Sequence, residues 1–61
     1  MEMVQQEKVL LSAKEVAELL GVKVSMAYTI IRRLNEELVA QKKLVVRGKI
    51  NKKYLLKKLE V

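Results

Sequence analysis

The apolar residues of this chain recur at helical spacing in three segments and gather into short runs elsewhere. The first helical segment starts at Ser12, which has capping-box spacing with Glu15, so that each side chain can bond the other residue's backbone amide. It stops at Gly21, because glycine readily adopts the left-handed conformation that ends many helices. The pattern predicts a helix over residues 13–20.

A longer helix is predicted over residues 24–42, where apolar side chains recur at steps of three and four positions: Ala27, Ile30, Ile31, Leu34 and Leu38. Two residues are candidates for its N-cap, Lys23 and Ser25. Of these, only Ser25 has a side chain that caps helices well.

The short apolar runs predict strands. Residues 8–11 form the first run, and residues 44–50 form two more on either side of Gly48, which suits a hairpin turn. Asn51 is then a good N-cap for a last helix over residues 52–60. The predicted fold is a mainly α, α+β domain with the order β-α-α-β-β-α and a small antiparallel sheet.

The chain has 61 residues, which is enough for one small domain. Residues 1–7 are expected to be a flexible lead-in and residues 8–61 a single domain. No apolar run approaches the roughly 20 residues that cross a bilayer, so we expect a soluble, cytoplasmic protein that does not bind membranes.

Positive charge is concentrated in the second part of the chain. Residues 1–20 carry four acids and two bases (net −2), and residues 21–61 carry three acids and eleven bases (net +8), which together give +6. A basic domain with its charge gathered in one region is typical of proteins that bind polyanions.

The side chains for catalysis or metal binding are scarce. The chain contains no cysteine and no histidine, so we expect no metal site and no cofactor. The adjacent Glu36 and Glu37 point about 100° apart on a helix and cannot act together on one substrate. The sequence therefore favours a binding protein over an enzyme.

Residues 13–32 follow the helix-turn-helix pattern at each diagnostic position. The fifth position is the small Ala17, where the two helices cross, and the ninth is Gly21, which makes the turn. Apolar residues occupy the positions that hold the pair together: Val16, Leu20, Val22, Ala27 and Ile30. An ordinary helical hairpin is the alternative interpretation.

The segment from Leu10 to Ile50 resembles the excisionase and MerR-like winged helix-turn-helix family of small phage and mobile-element proteins. The likeness is carried by Ser-Ala-Lys-Glu-Val-Ala-Glu-Leu-Leu-Gly-Val at 12–22, Ala27-Tyr28, Ile30-Ile31-Arg32 and Leu34-Asn35. It implies a recognition helix in the major groove, a wing in the minor groove, and a role in DNA recombination or transcription regulation. Because the chain lacks the long extension of MerR regulators, the excisionase-like interpretation is favoured. The resemblance also implies a nucleoid location, a tyrosine integrase partner, and a homodimer or cooperative oligomer on DNA.

The helix over 24–42 is expected to read DNA with the ridge opposite its apolar stripe. Ser25, Thr29 and Arg32 are the candidates for base contacts, because hydroxyls and guanidinium groups bond base edges. Tyr28 and Arg33 are candidates for phosphate contacts, and Lys23 and Met26 flank the ridge. In the alternative interpretation, the two arginines pair with Glu36 and Glu37 four positions later, and Tyr28 packs over the helix crossing.

Further contacts are expected from the predicted wing and the last helix. Arg47 and Lys49 flank the hairpin glycine, and an arginine at a narrow tip suits minor-groove entry, although a charged soluble turn would look the same. Lys52 and Lys53 lie in the first turn of a helix, where the macrodipole disfavours cations by roughly 0.3–1 kcal/mol. Phosphate contact would offset that cost. A small transcriptional regulator and a protein-interaction winged helix without DNA binding remain the alternative functions.

Overall fold

A computed structural model describes residues 9–60. Three helices and two strands occur there: β1 (Leu10–Ser12), α1 (Ala13–Leu20), α2 (Val24–Ala40), β2 (Lys49–Asn51) and α3 (Lys52–Leu59). The α+β class predicted from the sequence is confirmed. The predicted lead-in over residues 1–7 and Lys8 of the first predicted strand lie outside the described residues.

Helix α1 has the ends that the sequence predicts. The Ser12 hydroxyl accepts a hydrogen bond from the Glu15 amide (3.2 Å), and the Glu15 carboxylate accepts one from the Ser12 amide (2.8 Å). At the other end, Gly21 has φ 70°, and its amide and that of Val22 donate to the Ala17 carbonyl. The chain then turns over residues 21–23 and enters α2.

Helix α2 begins at Val24, as predicted, but ends two residues earlier than predicted. Its N-cap is Lys23, which makes no side-chain capping bond, so Ser25 lies inside the first turn instead of capping it. The helix ends at Ala40 and not at residue 42, because Lys42 adopts φ 64°. The amides of Lys42 and Lys43 donate to the carbonyls of Val39 (2.8 Å) and Leu38 (3.0 Å), a Schellman termination with lysine where glycine is usual.

The predicted hairpin over 44–50 is wrong as a pair of strands. Within residues 9–60 the sheet has two strands: β1 pairs antiparallel with β2, and Leu11 lies opposite Ile50. Residues 43–46 do not join the sheet, and the Asn35 side chain of α2 binds the carbonyl of Val46. The observed order is therefore β-α-α-β-α, although the turn at Gly48 is present.

The core lies between the sheet and the three helices. Its four largest fully buried side chains come from different elements, Val16, Ile31, Ile50 and Leu55. In α3, Leu55 is buried in this core, whereas Leu56 and Leu59 remain almost half exposed. The Asn51 side chain caps this helix by accepting from the Tyr54 amide (3.0 Å), as predicted.

Candidate nucleic-acid interface

One long face of α2 is open to solvent. The helix buries Ala27, Ile31, Leu34 and Leu38 against the core. On the opposite side, Ser25, Thr29 and Arg32 are all exposed, as helical spacing predicts. The Thr29 hydroxyl donates to the Ser25 carbonyl (3.3 Å), so its oxygen lone pairs remain directed at solvent. This face presents two hydroxyls and a guanidinium in a row.

A cleft of about 390 Å³ runs between α2 and the turn at residues 46–49. We call it the helix–turn cleft, and it is lined by five residues of α2 and two of the turn: Tyr28, Thr29, Ile31, Arg32, Asn35, Arg47 and Gly48. No acidic side chain of the described region lines it. Two arginines, one from each wall, therefore give this cleft an uncompensated positive charge.

The turn beside this cleft is a tight one. The Lys49 amide donates to the Val46 carbonyl (3.0 Å), and Gly48 at the third position has φ 76°, a conformation that favours glycine. A Cβ atom built on Gly48 would lie 3.9 Å from the Tyr28 ring, so the turn packs beside that ring. Tyr28 itself is 56% exposed and lines the helix–turn cleft.

Asn35 attaches this turn to α2. Its side-chain amide donates to the Lys49 carbonyl (2.8 Å) and to the Val46 carbonyl (3.3 Å). These two bonds hold both ends of the turn against the helix. The position of Arg47 relative to Arg32 is consequently fixed by a side chain that is not itself charged.

The intrahelical ion pairs of the alternative interpretation are absent. Within residues 9–60, neither Arg32 nor Arg33 forms an ion pair with a glutamate. Glu37 instead accepts hydrogen bonds from α3: the Tyr54 hydroxyl lies 2.6 Å from its Oε1, and Lys58 Nζ lies 3.1 Å from the same oxygen. Both arginines of α2 thus remain available to an external anion.

The contact between α2 and α3 shifts three pKa values. The hydrogen bond from Tyr54 and then the bond from Lys58 stabilise the carboxylate and lower the pKa of Glu37. The hydrogen bond to Glu37 raises the pKa of Tyr54 and also that of Lys58. Gln41 adds a longer bond to the Tyr54 hydroxyl (3.4 Å). This cluster holds α3 against the C-terminal half of α2.

The eleven predicted site residues fall in several places. Tyr28, Thr29, Arg32 and Arg47 meet in the helix–turn cleft. Thr29 also lines a second, shallower cleft at the start of α2, together with Lys23, Ser25 and Met26.

The remaining predicted residues lie outside these two clefts. Arg33 is exposed on α2, and Lys52 is partly buried at the start of α3. Lys49 lines a cleft beside the sheet, and Lys53 lines another between α2 and α3.

Sequence reasoning missed three residues that shape these surfaces. Asn35 has a weak signal, since asparagine is an unfavourable residue within a helix unless its side chain binds something. Lys43 and Lys57 line the same cleft as Lys53, but nothing local distinguishes them from solvated lysines.

No protein-family model, curated protein or solved structure matches this chain. Residues 9–60 contain no cluster of three acidic, cysteine or histidine side chains that could hold a metal ion. None of the helices in that range has the length and apolar character needed to span a membrane. The geometry and charge of the exposed α2 face are therefore the features of this protein that bear on its function.

Proposed function

We propose that this protein binds double-stranded DNA in a sequence-specific manner, as a winged helix-turn-helix domain with a short wing. In this proposal α1 and α2 are the helix-turn-helix, and α2 lies in the major groove. The turn at residues 46–49 takes the place of a hairpin wing. It presents Arg47 to the neighbouring backbone or minor groove.

The proposal rests on the exposed row that Ser25, Thr29 and Arg32 form on α2. This row continues to Arg47 in the helix–turn cleft, which none of the described acidic side chains lines. An α-helix fits the major groove, and these side chains have the donors and acceptors that read base edges there. The guanidinium of Arg32 is not engaged by an acid of the described chain.

The resemblance to excisionases supports a biological role in recombination, as a factor that directs a tyrosine integrase toward excision. A small transcriptional regulator would use the same interface on a promoter. The side chains of Val39 and Leu44 are largely exposed, and they favour a protein-interaction domain as the remaining alternative.

The test compares two neighbouring arginines of α2 after in vitro selection of a preferred duplex. We expect Arg32→Ala to reduce the preference for the selected duplex over random DNA by about 1–3 kcal/mol, because a base contact is lost. Arg33→Ala should weaken binding to both duplexes alike, since a phosphate contact carries no sequence information. Fluorescence anisotropy titrations measure both affinities, and circular dichroism checks the fold.

Two results would contradict the proposal. One is a selection that yields no preferred duplex. The other is an Arg32→Ala protein that stays folded and keeps the full preference of the unmodified protein. The first result would favour the protein-interaction alternative, in which α2 does not read bases. The second would show that Arg32 does not make the base contact assigned to it.

A further inference from the structure

A second basic cleft lies where α3 meets the C-terminal end of α2. Its volume is about 260 Å³. We call it the lysine cleft, and it is lined by three lysines together with polar and apolar neighbours: Lys43, Lys53, Lys57, Leu38, Leu44, Asn51 and Tyr54. None of these residues is acidic, so the cleft carries three positive charges with no compensating group in its lining.

The three lysines differ from Lys58, which lies on the same helix as two of them. Lys58 is paired with Glu37 at 3.1 Å and lies 5.5 Å from the centre of the Tyr54 ring. In contrast, Lys43, Lys53 and Lys57 are exposed and form no ion pair with any residue in the described range. Three cations therefore face solvent while the fourth is satisfied within the fold.

Helix stability accounts for Lys57, which lies in the last turn of α3, but not for Lys53. Helix α3 contains four lysines and no acidic residue, and two of the lysines occupy its first turn. Cations near a helix N-terminus are unfavourable by roughly 0.3–1 kcal/mol each. An external anion would offset that unfavourable placement of Lys53.

The lysine cleft continues the proposed DNA-binding surface. A cleft beside the sheet shares Leu44 with the lysine cleft and Asn35 with the helix–turn cleft. Lys49 lines this connecting cleft, and none of the described acids does. Positive charge thus extends from Arg32 and Arg47 to the lysine cleft without an acidic side chain along the way.

We infer that the lysine cleft is a second phosphate-binding surface that contacts the DNA backbone outside the segment read by α2. This inference rests on the proposed function. Lysine suits the role because its ammonium group is a mobile point charge that binds phosphates without reading sequence. Each neutralised phosphate releases counterions and makes binding more dependent on salt.

The experiment measures how affinity for duplex DNA falls with KCl concentration. The triple variant K43Q/K53Q/K57Q removes the three unpaired charges, and Lys58→Gln is the matched control from the same helix. Each phosphate contact contributes about 0.9 to the slope of log affinity against log KCl concentration. We therefore expect the triple variant to reduce the magnitude of this slope by roughly 2–3. Lys58→Gln should change the slope by less than about 0.5, because its charge is already paired.

The inference is overturned if the triple variant is folded by circular dichroism and retains the slope of the unmodified protein. It is also overturned if Lys58→Gln lowers the slope as much as the triple variant does. An unchanged slope would assign the lysines to another partner, such as an acidic protein.

Failure of the proposed function gives a different pattern. If the unmodified protein binds selected and random duplexes equally, sequence-specific recognition is wrong, while a reduced slope in the triple variant still supports the second surface. If no duplex is bound at low salt, both proposals are overturned.

Discussion

Asn35 shows how a single side chain positions a basic group that lies far away in sequence. Its side-chain amide donates hydrogen bonds to the carbonyls of Val46 and Lys49, which lie 11 and 14 positions later in the chain. These carbonyls are at the two ends of the turn that carries Arg47. Amide-to-carbonyl bonds of this kind typically contribute about 0.5–1.5 kcal/mol each. The turn is therefore held at a defined place beside α2 without a second strand to support it.

We expect Asn35→Ala to lower the free energy of unfolding by about 1–2 kcal/mol, because two hydrogen bonds are lost. It should also weaken the contribution of Arg47 to DNA binding. In a double-mutant cycle, Arg47→Ala should reduce affinity less in the Asn35→Ala protein than in the unmodified one. Urea denaturation gives the stability and anisotropy gives the affinity.

Asn35→Asp is the matched control for this prediction, because it keeps the size of the side chain and removes both N–H donors. An Asn35→Asp protein as stable as the unmodified one would show that the amide bonds do not hold the turn. Strict additivity of the two substitutions in DNA binding would show that Arg47 does not depend on Asn35.

At the scale of elements, the sequence predicted the start of α1 correctly and the end of α2 incorrectly. The cap of α1 was predictable because Ser12 and Glu15 bond each other across three positions. The end of α2 was not, since Lys42 occupies a left-handed position that sequence patterns assign to glycine or asparagine. The apolar stripe of α2 ends at Leu38, so it does not distinguish a helix that ends at Ala40 from one that ends at Lys42.

Lys42 and Lys43 offer a test of this helix end by two adjacent glycine substitutions. Lys42→Gly should raise the free energy of unfolding by about 0.5–1 kcal/mol, because glycine adopts a positive φ without the steric cost that a lysine has there. Lys43→Gly should lower it by about 0.5–1 kcal/mol, since that residue has no positive φ and glycine only increases the entropy of the unfolded chain. Thermal denaturation distinguishes the two. Equal effects of both substitutions would contradict the Schellman assignment.

The strands were predicted less well than the helices for a related reason. Residues 44–46 have the β-branched composition of a strand, yet they need a partner, and the Asn35 amide holds Val46 against α2. Composition reports what a segment tolerates, whereas pairing depends on residues elsewhere in the chain. Strands β1 and β2 do form, because Leu11 and Ile50, which lie opposite each other in the pair, also bury their side chains in the core.

At the scale of the whole molecule, α3 is attached to α2 by a small polar cluster centred on Glu37. The hydrogen bond from Tyr54 to Glu37 joins residues 17 positions apart, so no local sequence pattern predicts it. The alternative interpretation of the sequence paired Glu37 with Arg33, four positions away, whereas in the fold Glu37 binds Tyr54 and Lys58. For the same reason, the chain alone could predict the α2 face but not which lysines of α3 would remain unpaired.

The lowered pKa of Glu37 makes part of the stability depend on pH. The folded-state pKa of Glu37 lies below the ordinary value of 4.5. The hydrogen bonds to its carboxylate therefore stabilise the fold fully above about pH 4.5, and this stabilisation is lost as the pH falls through the folded-state pKa. We expect Glu37→Gln to reduce the loss of stability between neutral and acidic pH. Urea denaturation across this pH range measures the effect.

Glu36→Gln is the neighbouring control, because Glu36 is exposed and makes no ion pair within residues 9–60. It should leave the acid sensitivity of the unmodified protein in place. If both variants respond to acid as the unmodified protein does, the cluster around Glu37 does not contribute to stability.

Ser12 and Asn51 each serve as the last residue of a strand and the cap of the helix that follows. A ladder of three residue pairs has few hydrogen bonds of its own, but a slip by one position would move Leu11 or Ile50 away from the core. Each cap bond joins residues three positions apart and moves with its own strand, so a slip would have to displace the start of α1 or α3 as well. The alignment of the sheet is therefore coupled to the packing of α1 and α3, and β1 or β2 can be lengthened or shortened at this end only by moving the helix that follows it.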